Sequence, residues 1–156
     1  MTELAPIPRR AARVLLVDSN DQVLLFHGYD PARPDDSYWF TAGGGLRPDE
    51  DFATGAAREL AEETGLRLAP GEVGEPVWSQ ITDFPFDGRW YRQEQEFFLV
   101  RIERWDVVTD GFDDIERGSI DGHRWWAIAE LETTAESYYP KELPTLLRTL
   151  LDGDRC

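Results

Sequence analysis

The sequence has few cysteines, few basic residues and no long apolar run, and each shortage excludes a class of protein. The only cysteine is Cys156, so no internal disulfide forms and a reducing cytoplasm fits best. The 16 Lys and Arg residues stand against 31 Asp and Glu, a net charge of -15, which argues against sequence-independent nucleic-acid binding. No apolar stretch is long enough for a membrane span or a signal peptide, so we expect no membrane association.

What the chain does contain is enough apolar surface for one packed domain over residues 1–156. Hydrophobic residues make up 41% of the 156 positions and include six Trp. Apolar and β-branched runs predict strands at 13–17, 22–26, 38–41, 76–81, 90–102 and 124–128. Apolar residues at helical spacing predict helices at 52–64 and 143–151. Proline, glycine and acidic clusters predict a loop at 27–37, a turn at 84–88 and a solvated, mobile loop at 106–121.

Three glutamates in the first predicted helix are the most informative feature. Glu59, Glu62 and Glu63 are spaced i, i+3, i+4, so their carboxylates project from one helix face, which we expect to be exposed. Clustered negative charges near a helix C-terminus repel one another and the helix dipole, so a positive charge is expected among them. Mg²⁺ or Mn²⁺ is the natural candidate, because both ions take hard oxygen ligands.

The simpler interpretation is a Glu-rich face that is only solvated, and a bare Glu-x-x-Glu-Glu does not exclude it. The surrounding residues make the difference. From Gly44 to Leu66 the chain follows the spacing Gly-x5-Glu-x7-Arg-Glu-Leu-x-Glu-Glu-x-Gly-Leu at every fixed position. At average residue frequencies such a match arises by chance with odds on the order of one in ten million per chain.

This spacing is the Nudix box, and the chain therefore resembles the Nudix hydrolases. The resemblance implies an α/β fold, an α/β/α sandwich with a mixed sheet. It also implies a Mg²⁺- or Mn²⁺-dependent hydrolase that cleaves a diphosphate linkage in a nucleoside diphosphate derivative. The metal-binding residues it implies are Gly43, through its carbonyl, with Glu59, Glu62 and Glu63.

The resemblance also implies roles for other residues. Glu50 and Arg58 correspond to a supporting pair, and the catalytic base is either Glu59 or a carboxylate of a later loop, for which Glu116 is our candidate with Asp121 behind it. Relatives commonly have Pro before the paired glycines, whereas this chain has Thr41-Ala42-Gly43. Residues 81–84 lack the Pro and Tyr that mark particular substrates, so the group attached to the diphosphate stays undetermined.

Contacts to substrate outside the box rest on weaker signals. Arg89 and Arg92 bracket two aromatic residues beside a predicted turn, which favours phosphate contact, and Phe84 offers an aromatic face to a base. Surface ion pairs and core packing are the competing interpretations. A Nudix-fold module that senses a nucleotide without turnover remains an alternative, as does an isomerase of related fold, and the sequence leaves open whether the chain forms a homodimer.

Overall fold

The computed structural model describes residues 5–103, 105–109 and 119–153, and the description below is confined to them. The strands are β1 (Ile7–Val17), β2 (Gln22–Asp30), β3 (Arg33–Gly45), β4 (Trp78–Phe86), β5 (Arg89–Arg101), β6 (Ile120–Ala127) and β7 (Tyr138–Tyr139). The α-helices are α1 (Phe52–Thr64), α2 (Ile128–Thr133) and α3 (Leu143–Gly153), and a short 3-10 helix spans Pro70–Val73.

These strands form one mixed sheet in the order β4-β5-β1-β2-β3-β7, with β6 paired to β2. β1 runs parallel to β5 along its whole length, from Ile7 opposite Tyr91 to Val17 opposite Arg101. The middle of β1 also pairs with the end of β3, which sets Ala11 opposite Gly45 and Arg13 opposite Gly43. This second pairing brings the glycine segment of the Nudix box against β1.

Apolar side chains cover both faces of the sheet, so the core has two parts. The part between the sheet and α1 contains Val14, Leu16, Leu24, Phe26, Ala56 and Leu60. The part between the sheet and α3 contains Leu15, Leu25, Phe97, Trp126, Leu143 and Leu147. Alternate residues of β1 enter opposite parts because side chains alternate along a strand. The predicted α/β/α sandwich with a mixed sheet is confirmed.

Helix α1 has the bounds that its sequence predicts. The Asp51 carboxylate accepts a 2.7 Å hydrogen bond from the Thr54 amide at the start of the helix. At its end the Gly65 amide donates to the Ala61 carbonyl. Gly65 has φ 79°, a left-handed conformation that glycine adopts more easily than other residues. Ala56, Ala57 and Leu60 are buried against the sheet, which fixes the direction of the opposite face.

The loop expected at 27–37 is instead a continuation of the β2–β3 hairpin. β2 extends to Asp30 and β3 starts at Arg33, with a register shift after Tyr29 that leaves residues 34–36 outside the regular ladder. Pro34, Asp35 and Asp36 therefore occupy an exposed bulge, where a missing N–H is harmless, and Pro31 lies in the turn between the two strands. The turn expected at 84–88 is similarly confined to Asp87 and Gly88, since β4 continues to Phe86.

The loop expected at 106–121 is confirmed as irregular backbone at 106–109, is wrong at its far end, and at 110–118 lies outside the described residues. Trp105 Nε1 and the Val108 amide both donate to the Thr64 carbonyl at 2.9 Å, so this segment is fixed to the end of α1. At the other end β6 already begins at Ile120. Within the described ranges, no helix has the length and apolar character that crossing a bilayer requires.

Candidate active site

Arg58 is the centre of a hydrogen-bonded carboxylate cluster on α1. Its Nε and Nη2 each donate at 2.8 Å to a different oxygen of Glu50, which is a bidentate pair. Its Nη1 donates to Glu59 at 3.0 Å and to Glu62 at 3.2 Å, and its Nη2 also reaches the Gly45 carbonyl at 3.1 Å. One side chain therefore joins the loop before the helix, the end of β3 and two of the three clustered glutamates.

The Glu50–Arg58 pair is largely shielded from solvent, with side chains 8% and 16% exposed. The hydrogen bonds from Arg58 are the largest cause that lowers the pKa of Glu50 to about 2, and the Arg47 amide contributes a further one. The same contact with Glu50 raises the pKa of Arg58. Both groups are therefore charged at every pH at which the protein is expected to work.

Glu63 does not lie on an exposed acidic face, contrary to the sequence expectation. The residue is 1% exposed, and its Oε1 accepts a 2.6 Å hydrogen bond from the Gly43 amide. Glu59 is also buried, at 8% exposure. The face that the glutamate spacing defines is covered by the glycine segment of β3, because β3 bends over this side of α1 where it pairs with β1.

Because Gly44 and Gly45 have no side chains, charged groups on opposite sides of this strand segment lie close enough to interact. A Cβ on Gly44 would lie 2.9 Å from the Glu59 carboxylate, and a Cβ on Gly45 would lie 2.9 Å from Arg9 Nε. Successive residues of this strand thus face a carboxylate on one side and a guanidinium on the other. Any larger residue at these positions would push the two charges apart.

Two arginines of β1 belong to this site, and the sequence analysis did not find them. Arg13 Nη1 donates to the carbonyls of Gly43 and Thr41, at 3.2 and 3.4 Å. Among the described residues Arg9 has no carboxylate within hydrogen-bonding distance, and its guanidinium lies 5.9 Å from the centre of the Tyr91 ring. Burial lowers the pKa of each arginine, and Glu59 opposes the shift at both. The sequence held one signal for these arginines: side chains alternate along a strand, so positions 9, 11 and 13 share one face.

The three expected substrate residues are on the β4–β5 hairpin, but they do not share an environment. Phe84 stacks on Tyr91 with ring centres 5.7 Å apart, on the same side of the sheet as Arg9. Arg92 forms two 2.9 Å hydrogen bonds with Asp83 and faces the opposite side from Tyr91. Arg89 is exposed at the start of β5.

Of the two later carboxylates, Glu116 lies outside the described residues. Asp121 is on β6, where its Oδ1 is 2.5 Å from His27 Nδ1. The His27 ring in turn lies 4.7 Å from the Trp39 ring. Neither residue had a partner in the sequence analysis, because β2 and β6 are far apart in the chain.

The donor set fits a hard divalent cation. Glu59, Glu62 and Glu63 supply carboxylate oxygens and Gly43 supplies a carbonyl, which are the ligand types that Mg²⁺ and Mn²⁺ prefer. Oxygens of Glu59 and Glu62 already converge on one positive nitrogen, Arg58 Nη1. In the described part of the chain, no three carboxylate or imidazole side chains stand together at the spacing of a formed metal site.

Comparison with known proteins agrees with this fold. The family model described as NUDIX domain matches residues 7–146. An RNA pyrophosphohydrolase of Dinoroseobacter shibae is 32% identical over 110 residues, which are 64% of this chain and 66% of that relative. Another from Roseobacter denitrificans is 30% identical over 138 residues and covers 83% of each chain. The MutT protein of Methanosarcina mazei superimposes with a TM-score of 0.68 at 17% identity, over 99% of this chain and 100% of that one.

The fold is thus that of a known class of hydrolases, an α/β/α sandwich with an acidic helix against a glycine-rich strand end. The chain belongs to the Nudix family, since the family model covers most of its length. The predicted resemblance to the Nudix family is confirmed. The roles of individual residues remain predictions.

The close packing of Gly43 against β1 predicts that one methyl group added at this position strongly lowers the stability of the protein. Gly43 has φ +127°, and a Cβ there would lie 2.0 Å from the Ala12 carbonyl oxygen. We expect Gly43→Ala to lower the free energy of unfolding by about 3 kcal/mol, because the backbone must shift. Gly71→Ala is the matched control, since a Cβ there meets nothing within 4 Å. Equal urea midpoints for the two variants would contradict the geometry.

The Glu50–Arg58 pair predicts a pH-dependent loss of stability in Glu50→Gln. At pH 7 we expect the variant to be less stable by about 2 kcal/mol, because a charge-assisted bidentate pair is lost. Because the folded-state pKa of Glu50 is depressed from 4.5 to about 2, the stability it provides is complete above pH 4.5 and is lost as the pH falls through 2. Urea unfolding of both proteins between pH 7 and 2 measures this. The exposed Glu75→Gln serves as control, and a constant difference across that range would contradict the assignment.

Proposed function

We propose that the protein is a divalent-metal-dependent pyrophosphohydrolase that cleaves a diphosphate linkage in a nucleoside diphosphate derivative. The observation that carries the proposal is the convergence of Glu59 and Glu62 oxygens on the single Nη1 of Arg58. A cluster that already stabilises one positive charge is suited to a cation bound beside it. The relatives named RNA pyrophosphohydrolase support the same reaction class.

In this proposal each residue of the cluster has a separate task. Glu59, Glu62, Glu63 and the Gly43 carbonyl hold the cation, and Glu50 holds Arg58 so that the helix face keeps its shape. A bound divalent cation supplies positive charge to the diphosphate oxygens and makes a water molecule more acidic. Glu59 or Glu116 accepts the proton of the attacking water. The water oxygen bonds to phosphorus while the bridging P–O bond breaks, and the bridging oxygen leaves with the other phosphate group.

The substrate phosphates need a cation contributed by the protein as well, and Arg9 is the best placed. It lies across the glycine segment from Glu59 and has no carboxylate partner among the described residues, whereas Arg92 is already paired with Asp83. Phe84 and Tyr91 stack beside it and offer aromatic surface to a base or another planar group. We therefore favour Arg9 over Arg92 and Arg89 for phosphate contact.

If Glu62 and Glu63 hold the cation, replacing either of them should lower turnover by more than it lowers stability. Glu62→Gln and Glu63→Gln should each lower kcat by roughly 100-fold or more, because a neutral amide stabilises the cation far less than a carboxylate. The measurement is initial rate against Mg²⁺ concentration with a nucleoside diphosphate substrate.

Glu75→Gln makes the same charge change at an exposed position and should keep the wild-type rate. Circular dichroism of each variant separates a lost ligand from a lost fold, which matters most for the buried Glu63. Wild-type rates in both ligand variants would refute the assignment.

Metal removal gives a second prediction. Dialysis against EDTA should abolish turnover, and Mg²⁺ or Mn²⁺ should restore it, because without the cation nothing neutralises the diphosphate oxygens or makes the attacking water more acidic. Product analysis by ³¹P NMR over a panel of nucleoside diphosphate derivatives and a 5′-triphosphorylated oligoribonucleotide identifies the substrate. Binding of panel compounds without turnover under any metal would favour the nucleotide-sensing alternative instead.

A further inference from the structure

Arg13 is a half-buried positive charge that the proposed reaction does not use. It lies on β1 directly opposite Gly43, and its guanidinium donates to the Gly43 carbonyl at 3.2 Å. The amide of the same Gly43 donates to Glu63 at 2.6 Å. One glycine residue thus separates the arginine from the most deeply buried carboxylate of the cluster. Burial lowers the pKa of Arg13, and attraction to Glu63 and Glu59 opposes that shift, which is what a counter-charge to those groups does.

A chain of side-chain amides holds Arg13 in this position. Gln95 Oε1 accepts from Arg13 Nε at 3.4 Å, while Gln95 Nε2 donates to Gln80 at 2.8 Å. Gln80 Nε2 then donates at 3.0 Å to the carboxylate of Glu142, which directly precedes α3. A glutamine amide has one acceptor end and one donor end, so the carboxylate at the far end of the chain sets the direction of both amides. In that orientation the side-chain oxygen of Gln95 faces Arg13 and accepts a hydrogen bond from its guanidinium.

We propose that Arg13 is a positioning residue, the internal counter-charge of Glu59 and Glu63, which stabilises the cation-free protein and weakens the affinity of the site for a divalent cation. This inference rests on the metal site proposed above. Its physical basis is that a positive charge lowers the cost of burying a carboxylate, with Arg58 acting on Glu59 from the helix and Arg13 acting from the far side of the glycine segment, and that a fixed cation near the site repels an incoming one. Removing Arg13 should therefore act in opposite directions on stability and on metal affinity.

The test measures Mn²⁺ binding to the full chain by calorimetry and the unfolding temperature in EDTA. In Arg13→Gln, which keeps a donor for the Gly43 carbonyl but no charge, Mn²⁺ should bind roughly tenfold more tightly than in the wild type, because a positive charge near the site is gone. The unfolding temperature in EDTA should fall by about 5 °C, and Mn²⁺ should raise it by more than it raises that of the wild type. Arg13→Lys is the matched control, because it keeps the charge and should bind Mn²⁺ with the affinity of the wild type.

Unchanged or weaker Mn²⁺ binding in Arg13→Gln would overturn the inference, and so would an equal gain in Arg13→Lys. If Arg13→Gln does not fold in EDTA, the Gln95→Leu variant decides, because it releases the guanidinium from its amide anchor and keeps the charge. Tighter Mn²⁺ binding by about twofold in that variant supports the inference, and unchanged binding overturns it.

Failure of this inference and failure of the proposed function give different results. If Glu62→Gln and Glu63→Gln leave Mn²⁺ binding at the wild-type value, the metal site itself is wrong. If those variants lose Mn²⁺ and Arg13→Gln binds it no better than the wild type, the metal site stands and only the role of Arg13 is wrong.

Discussion

The bidentate contact between Arg58 and Glu50 is the interaction on which the geometry of the site depends. Glu50 precedes α1 and Arg58 lies in the middle of it, so their pairing folds the entry loop back against the helix. With Glu50 holding two of its nitrogens, the third points at Glu59 and Glu62 in a fixed direction. A lysine could not replace it, since only a planar guanidinium presents a two-point contact and a further donor together.

The glycine segment gives this cluster its second set of charges. Because Gly44 and Gly45 carry no side chains, the carboxylates of α1 and the arginines of β1 lie close to opposite sides of one strand. Four carboxylates, Glu50, Glu59, Glu62 and Glu63, are thereby set against the guanidiniums of Arg58, Arg9 and Arg13. A chain with a net charge of -15 thus has a site that is close to neutral before any cation binds.

Local signals in the sequence predicted α1 with its correct bounds, because its cap, its apolar face and its terminating glycine all lie within the helix or next to it. Most strands were predicted too short for the opposite reason, although the bounds of β5 were predicted to within one residue. β1 begins at Ile7 because β5, some eighty residues later, pairs with it there, and no local pattern contains that pairing. The missing strand residues carried Arg9, and a second long-range pairing, of β1 with the end of β3, sets Gly43 against Glu63. Both errors in the site therefore follow from strand pairings that no local pattern contains.

The charge distribution also bears on the size of the substrate. Beyond about 8 Å in physiological salt the negative field of the protein is screened, so a small anion near Arg9 responds mainly to the arginines beside it. A long polyanion lies against much more of the acidic surface and is repelled along its whole length. Under the proposed function, a compact nucleoside diphosphate derivative or the terminal nucleotides of a longer chain suits this charge distribution better than an extended polyanion does.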